Sequence, residues 1–404
     1  MSRRIAAIAF IFACTAIAWM ILAGTIGART NSSDDFSRKK VVASWGSAQV
    51  QGSPAAVFSQ PAANGNGVTT LAAHPAASRI DVALDLDQRR KGLLWYSTYK
   101  VGFAGTYTFR NPTDQPQKMF VTLKLPAEQA IYDDVQVLVD DAAVAPVNGD
   151  GCISASTEVP AGNAVNVRFA YHSHGLDTWK YDFGGKVAHV RDFVLRMRTN
   201  FRAIDFPDST LSPTEKRQVD GGWELTWNYK SLVSGFAIGI AMPEHVQPGP
   251  LAGQISYFAP VSLLFFFFVM FMITTIRGID LHPMNYFFLA AAFFAFHLLL
   301  AYLVDHISIH AAFAICSLVS VFLVVSYLRL VVGMRFAAVE AGISQLVYLV
   351  LFSYAFFYHG YTGLTVTVGA ILSLFVAMQM TGRIKWSEKF QPTVARPNAG
   401  KVRA

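Results

Sequence analysis

The sequence has little charge and very little cysteine. Only 15% of its 404 residues are charged and 53% are hydrophobic, whereas soluble domains carry about 25% charged residues. This balance indicates a membrane protein. Cys14 and Cys316 fall in apolar runs and Cys152 stands alone in the polar middle region. No disulfide can therefore join two residues of that middle region, and its fold must rely on a hydrophobic core.

The sequence also lacks the short motifs of common catalytic and cofactor sites. It contains no Gly-rich phosphate loop, no Gly-x-Ser-x-Gly elbow, no HExxH and no CxxC. We therefore expect no enzymatic activity, no cofactor and no bound metal. His172, His174 and Asp177 are close in sequence, but zinc needs three or four ligands, so a solvent-facing histidine pair is the simpler interpretation.

The net charge of +7 does not indicate a nucleic-acid partner. Basic and acidic residues are balanced between Ala28 and Gly253, so the whole excess lies in the short segments beside the apolar runs. That distribution is typical of a membrane-topology signal rather than of a DNA-binding surface.

Six apolar runs are each about long enough to cross a bilayer, which needs about 20 residues. The first follows Arg3 and Arg4, and no small-x-small cleavage site closes it, so residues 1–28 are predicted to be an uncleaved transmembrane anchor rather than a signal peptide. The other five, separated by very short connections, predict a five-helix transmembrane domain over residues 254–382, followed by a basic cytoplasmic tail over 383–404. Their ranges are 254–276, 284–304, 307–328, 337–358 and 361–381.

The polar middle region has two parts. Residues 29–78 are rich in Ala, Ser, Gly, Pro and Asn and predict a low-complexity linker. From residue 79 to 253, apolar and polar residues alternate and turn sequences such as Asn148-Gly149-Asp150-Gly151 separate the runs. This pattern predicts an antiparallel β-sandwich, either one or two in tandem.

The placement of Lys and Arg predicts the orientation. With the N-terminus inside, the short inside segments hold nearly all the basic residues near the spans, and the short outside loops at Asp305-His306 and His359-Gly360 hold none. Both termini are therefore expected in the cytoplasm, and the β region outside it.

The last third of the chain resembles the CreD family of inner-membrane proteins, which is associated with colicin tolerance. Leu281-His282-Pro283-Met284-Asn285-Tyr286 is similar to the family's His-Pro-x-Gln-Tyr, and Asp305-His306-Ile307 to its Glu-His-Ile. The ending Met380-Thr381-Gly382-Arg383-Ile384-Lys385-Trp386 is similar to the family's Met-x-Thr-Arg-x-x-x-Trp. Asn285 and His297 depart from its typical Gln and Tyr or Phe. The resemblance implies a multi-pass protein of the bacterial inner membrane, a periplasmic β domain and no established reaction.

Seven residues are candidates for a functional role: His282, His297, Asp305, His306, Arg196, Arg198 and Arg202. His297 lies near the middle of its span, where ionisable groups are costly and tend to face a bundle interior. The three arginines are expected to share one face of a strand, which is either a solvated face or an anion-binding one. Asp305 and His306 fit a helix cap at an interfacial turn or a proton-sensing site.

Two functions from different classes remain open. The first is a non-catalytic envelope protein, whose periplasmic domain binds an unknown periplasmic protein or envelope component. The second is a transporter or channel that moves a small or lipidic substrate through the five-helix bundle. Polar residues converging on a cavity within the membrane would favour the second, and an exposed groove on the β domain would favour the first.

Overall fold

The structure is a computed structural model that describes residues 2–61, 68–92, 94–184, 187–358 and 360–382. The predicted cytoplasmic tail over 383–404 and His359 lie outside these residues. The chain divides into two compact units, one of Met1–Ser32 with Gln247–Ala404 and the other of Ser33–Val246.

Six helices in the described part of the chain are long and apolar enough to cross a membrane. Proline opens α2 and α3, where the first-turn N–H has no intrahelical acceptor, and left-handed Gly278 (φ 68°) ends α2. The six helices are α1 (Ser2–Trp45), α2 (Pro248–Arg277), α3 (Pro283–Leu303), α4 (Ile309–Val331), α5 (Phe336–Phe357) and α6 (Thr362–Thr381).

The predicted anchor helix contacts the bundle along one narrow stripe, and most of its apolar run is exposed. Trp19, Leu22 and Ile26 are buried in the same hydrophobic cluster as side chains of α2, α3, α4 and α5. Just after the apolar run of this helix, the Arg29 guanidinium lies 3.0 Å from the Asp305 carboxylate and donates to the carbonyl of Ala301 at 2.9 Å. The predicted five-helix bundle is therefore extended by a sixth helix.

The predicted linker over residues 29–78 has regular structure in its described part. Helix α1 continues to Trp45 because no Gly or Pro interrupts residues 28–45. It ends at Gly46, whose φ is 122° and where a Cβ would lie 2.4 Å from the carbonyl oxygen of His174. Three strands and the start of a fourth follow before residue 79. The linker prediction was based on composition, and it is wrong because Ala- and Ser-rich segments can form paired strands when they pack beside a core.

The unit Ser33–Val246 contains eighteen strands in its described residues. In chain order they are β1 (Gln49–Gly52), β2 (Ala55–Pro61), β3 (Val68–Ala73), β4 (Ala77–Leu86), β5 (Arg89–Lys91), β6 (Leu94–Tyr96), β7 (Thr98–Arg110), β8 (Gln117–Lys124), β9 (Tyr132–Val139), β10 (Ala142–Ala143), β11 (Val147–Gly149), β12 (Cys152–Val159), β13 (Ala164–Leu176), β14 (Thr178–Asp182), β15 (Ala188–Thr199), β16 (Glu215–Val219), β17 (Gly222–Ser234) and β18 (Ile238–Ala241).

These strands form an eight-stranded sheet, a five-stranded sheet and two small ones. The large sheet has the order β10-β9-β13-β7-β4-β15-β17-β16, and the second has β11-β12-β8-β2-β3. The sequence predicts antiparallel pairing, and two strand pairs differ from that prediction. Strand β4 pairs in parallel with β15, and β1 pairs in parallel with β14. The long chain segments between these partners provide the crossovers that parallel pairing requires.

The predicted alternation produces one hydrophobic core. In β4, Ile80, Val82 and Leu84 are buried, whereas Asp81 and Asp85 point away. Buried side chains of the five-stranded sheet, such as Met119 and Val121, belong to the same cluster as those of the eight-stranded sheet. The opposite face of the eight-stranded sheet is left to polar and small residues, and it carries the candidate site.

Candidate functional site

A groove with a volume of about 790 Å³ crosses the face of the eight-stranded sheet that points away from the core. Its floor consists of small residues on three adjacent strands. Ala83 of β4 is paired in register with Gly102 of β7, and Ala104 of β7 with Ala170 of β13. Because these side chains are short, the longer ones on both sides rise above them as walls.

The first wall is formed by β15 and β17 and is rich in arginine. Arg196 and Arg198 alternate with buried residues of β15 and are exposed. The Arg198 Nε lies 3.9 Å from a Glu224 carboxylate oxygen, and Arg217, behind the wall, donates to the same carboxylate at 2.8 Å. The hydrogen bond from Arg217, together with the charges of Arg217, Arg198 and Arg196, lowers the pKa of Glu224. Three cations around one carboxylate leave this wall positive.

The opposite wall is formed by β9 and β13 and contains Asp134, His172 and Arg168. A β-bulge gives β9 one extra residue where Ala170 and His172 pair with it, and Asp134 there has a φ of 50°. Bulges re-aim side chains, and aspartate tolerates this left-handed conformation better than most residues. The Asp134 carboxylate lies 3.3 Å from Nδ1 of His172.

The two histidines of β13 have different surroundings and do not form a solvent-facing pair. His172 lines the groove, whereas the His174 ring packs on Trp45 with 4.3 Å between ring centroids. Burial lowers the pKa of His174. In the described part of the chain, no group of three or more His, Cys, Asp or Glu residues is placed to hold a metal ion.

The groove is about three strand spacings wide between its two walls. Strand β13 and strand β15 are separated by three strand spacings, or about 14 Å. Arg196 and Arg168 lie on opposite walls, and Asp81, paired in register with Arg196, lies beside the floor. Guanidinium groups recognise carboxylates and phosphates through paired hydrogen bonds, and the lining of the groove holds three arginines and three carboxylates.

Arg202 does not share the strand face predicted for it. Strand β15 ends at Thr199, and Arg202 lies in the bend that follows, where its carbonyl accepts a hydrogen bond from the Trp223 indole at 2.9 Å. The alternation of β15 therefore applies to Arg196 and Arg198 but not to Arg202, because the chain leaves the sheet before reaching it.

Three of the predicted residues lie at opposite ends of α3. His282 is the N-cap residue, and its Nδ1 accepts from the Met284 N–H at 3.3 Å. Asp305 and exposed His306 follow the other end of the helix, where Asp305 pairs with Arg29. The length of α3, 21 residues or about 31 Å, separates these groups, so they do not form one site.

His297 lies inside the bundle and is fully buried. Its Nδ1 is 2.9 Å from the Phe293 carbonyl oxygen, four residues earlier in the same helix. The ring meets Trp19 edge-on at 5.4 Å and Phe296 at 4.9 Å. Its Nε2 has no hydrogen-bond partner among the described residues. The surroundings of His297 are therefore mainly aromatic.

A second polar group inside the bundle was not predicted. Gln345 of α5 is buried and donates to the Ser320 hydroxyl at 2.8 Å, which in turn donates to the Ala292 carbonyl at 2.8 Å. Near the end of α2, Arg277 pairs with Glu340 of α5. Gln345 and Glu340 flank or fall within the two π-helical segments of α5, Phe336–Ala341 and Leu346–Leu351.

Four groove residues that line the walls and floor were also missed. Arg168, Asp81 and Glu224 each occupy an outward position of an alternating strand, which the sequence does show, whereas Asp134 lies at the bulge of β9. Their convergence depends on the strand order, in which β4 and β15 are neighbours although about a hundred residues separate them. Local alternation carries no signal for that pairing.

Two solved structures are distantly similar to part of the chain. One is a protein from Legionella pneumophila provisionally described as nutrient binding, with 11% identity, a TM-score of 0.32 and coverage of 53% of this chain and 77% of that one. Another is an M1 zinc metallopeptidase from Deinococcus radiodurans, with 12% identity, a TM-score of 0.26 and coverage of 42% of each chain. No curated protein matches the sequence significantly.

A family comparison gives a direct match. The family described as inner membrane protein CreD matches residues 211–387. This region begins in the last part of the β unit and covers α2 to α6. It includes the His282-Pro283 and Asp305-His306 segments that carried the resemblance, which is thereby confirmed. Over residues 211–387 the chain is similar to the family described as inner membrane protein CreD.

Proposed function

We propose that this protein is a non-catalytic envelope protein whose β domain binds a periplasmic protein or an envelope component through the groove of the eight-stranded sheet. By this binding it contributes to envelope integrity or colicin tolerance, while the helices hold it in the inner membrane. The observation that carries the proposal is the groove itself, with a small-residue floor between two charged walls.

Several properties of the groove support binding. Its volume falls within the range of about 300–1,000 Å³ that is usual for ligand sites. Its polar groups stand on strands whose opposite faces are locked in one core, so they are held rigidly. The larger sheets contribute to that common core, which supports a sandwich architecture of one domain.

The proposed orientation places the β domain in the periplasm. The basic residues near the spans support it, because Arg3, Arg4, Arg277, Arg329 and Arg335 all fall on the side assigned to the cytoplasm. The β domain, between the first and second spans, is then on the opposite side.

Charge reversal of the positive wall tests the proposal. The double variant Arg196→Glu and Arg198→Glu replaces the anion-binding groups by repelling ones, and we expect it to lose complementation of an envelope-stress or colicin-tolerance phenotype at normal abundance. Arg191→Glu is the matched control, because Arg191 is exposed on the same strand but does not line the groove. Full complementation by the double variant would refute the role of the groove.

A transporter or channel is the second candidate function. It is favoured by the polar groups inside the bundle, since His297 Nε2 and Gln345 Oε1 are buried without a hydrogen-bond partner among the described residues. Such atoms are costly within a membrane and mark substrate or proton paths in many transporters. We prefer the first function because the His297 ring is surrounded by aromatic side chains.

A further inference from the structure

Two runs of basic residues that are distant in sequence lie together on the unit Ser33–Val246. One is residues 38–40 of α1, with the sequence Arg-Lys-Lys, and the other is strand β5 (Arg89–Lys91). All six side chains are exposed. We name these six residues the basic collar.

Contacts between α1 and the β5–β6 hairpin hold the collar together. The Tyr96 hydroxyl donates to the Asp34 carboxylate at 3.0 Å, and the Arg89 guanidinium lies 3.4 Å from the centroid of the Trp45 ring. Val41 of α1 shares a small buried cluster with Leu94 and Tyr96. The hairpin turn also approaches the helix, since a Cβ at Gly92 would lie 3.3 Å from the hydroxyl of Ser37.

Four carboxylates lie near the six collar cations and leave an excess of two positive charges. They are Asp34, Asp87, Asp177 and Asp35, the last of which is one helical turn before Lys39. Asp34 accepts the Tyr96 hydroxyl, Asp177 pairs with Arg38, and Asp87 pairs with Arg89. The lysines at positions 39, 40 and 91 have no carboxylate within ion-pair distance among the described residues.

The collar follows the end of the first span closely. Arg29 is the first charged residue after the apolar run, and α1 continues as a helix from there. Arg38 is nine residues further on, or about 14 Å along the helix. The headgroup layer takes up about 5–8 Å of that length, which leaves about 6–9 Å between Arg38 and the headgroups. This distance is comparable to the Debye length of about 8 Å at physiological salt, so the charges still attract each other.

An aromatic side chain accompanies the charges. Phe36 is 63% exposed and Lys40 Nζ lies 4.0 Å from its ring centroid. Basic residues beside an exposed aromatic ring are typical of surfaces that contact the membrane interface. There the cations bind anionic headgroups and the aromatic rings insert at the headgroup level.

We propose that the basic collar binds the anionic headgroups of phospholipids in the leaflet at which the first span ends. Each collar cation within reach of the headgroups adds electrostatic attraction. The proposal does not depend on the groove, because the two surfaces share no residue and are tested by different variants.

The test measures phospholipid preference of the full-length protein in neutral detergent. Native mass spectrometry compares retention of phosphatidylglycerol with retention of zwitterionic phosphatidylcholine. The triple variant K39Q, K40Q and K91Q removes three exposed charges, and we expect its affinity for phosphatidylglycerol to fall about tenfold, with phosphatidylcholine unchanged. The matched control is K118Q, K124Q and K230Q, which removes three exposed charges elsewhere on the same unit.

A charge-preserving variant distinguishes loss of charge from misfolding. K39R, K40R and K91R should retain the phosphatidylglycerol preference of the natural protein, and circular dichroism should match for all variants. Equal losses in the collar and control variants, or no loss in the collar variant, would overturn the proposal.

Discussion

Replacement of His297 by phenylalanine separates the two proposed functions. The substitution removes the Nδ1 hydrogen bond with the Phe293 carbonyl at 2.9 Å and an Nε2 atom that has no partner among the described residues. It keeps an aromatic ring against Trp19 and Phe296, which the imidazole meets at 5.4 Å and 4.9 Å.

The expected energetic change is small. Hydrogen bonds between side chains in membranes contribute about 0.6 kcal/mol on average, and the hydrogen bond that phenylalanine removes joins His297 to a carbonyl of its own helix. The phenylalanine ring keeps the contacts with Trp19 and Phe296, and aromatic pairs contribute about 0.5–1.5 kcal/mol. The net change in the free energy of unfolding should be within about 1 kcal/mol. His297→Ala should cost about 2–5 kcal/mol, because truncation in a packed core leaves a cavity.

The assay combines abundance, stability and function. Immunoblotting of membranes and thermal unfolding in detergent should show His297→Phe close to the natural protein and His297→Ala less stable. Complementation of an envelope-stress or colicin-tolerance phenotype should be unaffected by His297→Phe. Loss of function at normal abundance and stability would refute a passive His297 and favour a proton-coupled transporter.

Three further predictions concern orientation, the bundle edge and the β unit. Alkaline phosphatase fused after Thr210 should be active and after Gly278 inactive, because the basic residues place these positions on opposite sides of the membrane. Arg29→Asp and Asp305→Arg should each lower the unfolding temperature in detergent. The double variant should recover part of the loss, because the swap restores the ion pair, worth about 1 kcal/mol, but not the hydrogen bond from Arg29 to the Ala301 carbonyl. Burial lowers the pKa of His174 in the folded protein below its unfolded value of 6.5. The stability that the buried neutral imidazole contributes is therefore present above pH 6.5 and is lost as the pH falls through the lowered folded pKa. His174→Phe should reduce the fall in unfolding temperature on the acid side.

Each of the three has its own contradicting result. Phosphatase activity at Gly278 would contradict the orientation. Failure of the charge swap to recover any stability would show that Arg29 and Asp305 act separately. An unchanged acid-side slope in His174→Phe, whose ring still packs on Trp45, would show that burial of His174 has no influence on stability.

The sequence predicts the membrane helices well because their signal is local. Apolar runs of span length and proline or serine caps, as at Pro283 and Ser308, mark where α3 and α4 begin. The packing of α1 into the bundle could not be predicted, because Trp19 lies in an apolar run that reads the same whether it faces lipid or protein.

In the unit Ser33–Val246, the sequence predicts burial within each strand but not which strands are neighbours. Alternation in β4, β7 and β15 predicts which side chains are buried, as at Val82, Phe103 and Leu195. It does not predict that these strands are neighbours, and the groove exists only because they are. The position of Asp134 could not be predicted from alternation, because Asp134 reaches the groove through a bulge and a left-handed backbone conformation.

The central claim, that the groove is the binding surface, is tested most directly by photo-crosslinking in living cells. A photoreactive amino acid at Ala104, on the groove floor, is compared with one at Ser156, an exposed position on β12 in the five-stranded sheet. We predict a discrete crosslinked adduct at Ala104 that Arg196→Glu with Arg198→Glu abolishes, and none at Ser156. Absence of an adduct at Ala104, or the same adduct at both positions, would contradict the claim.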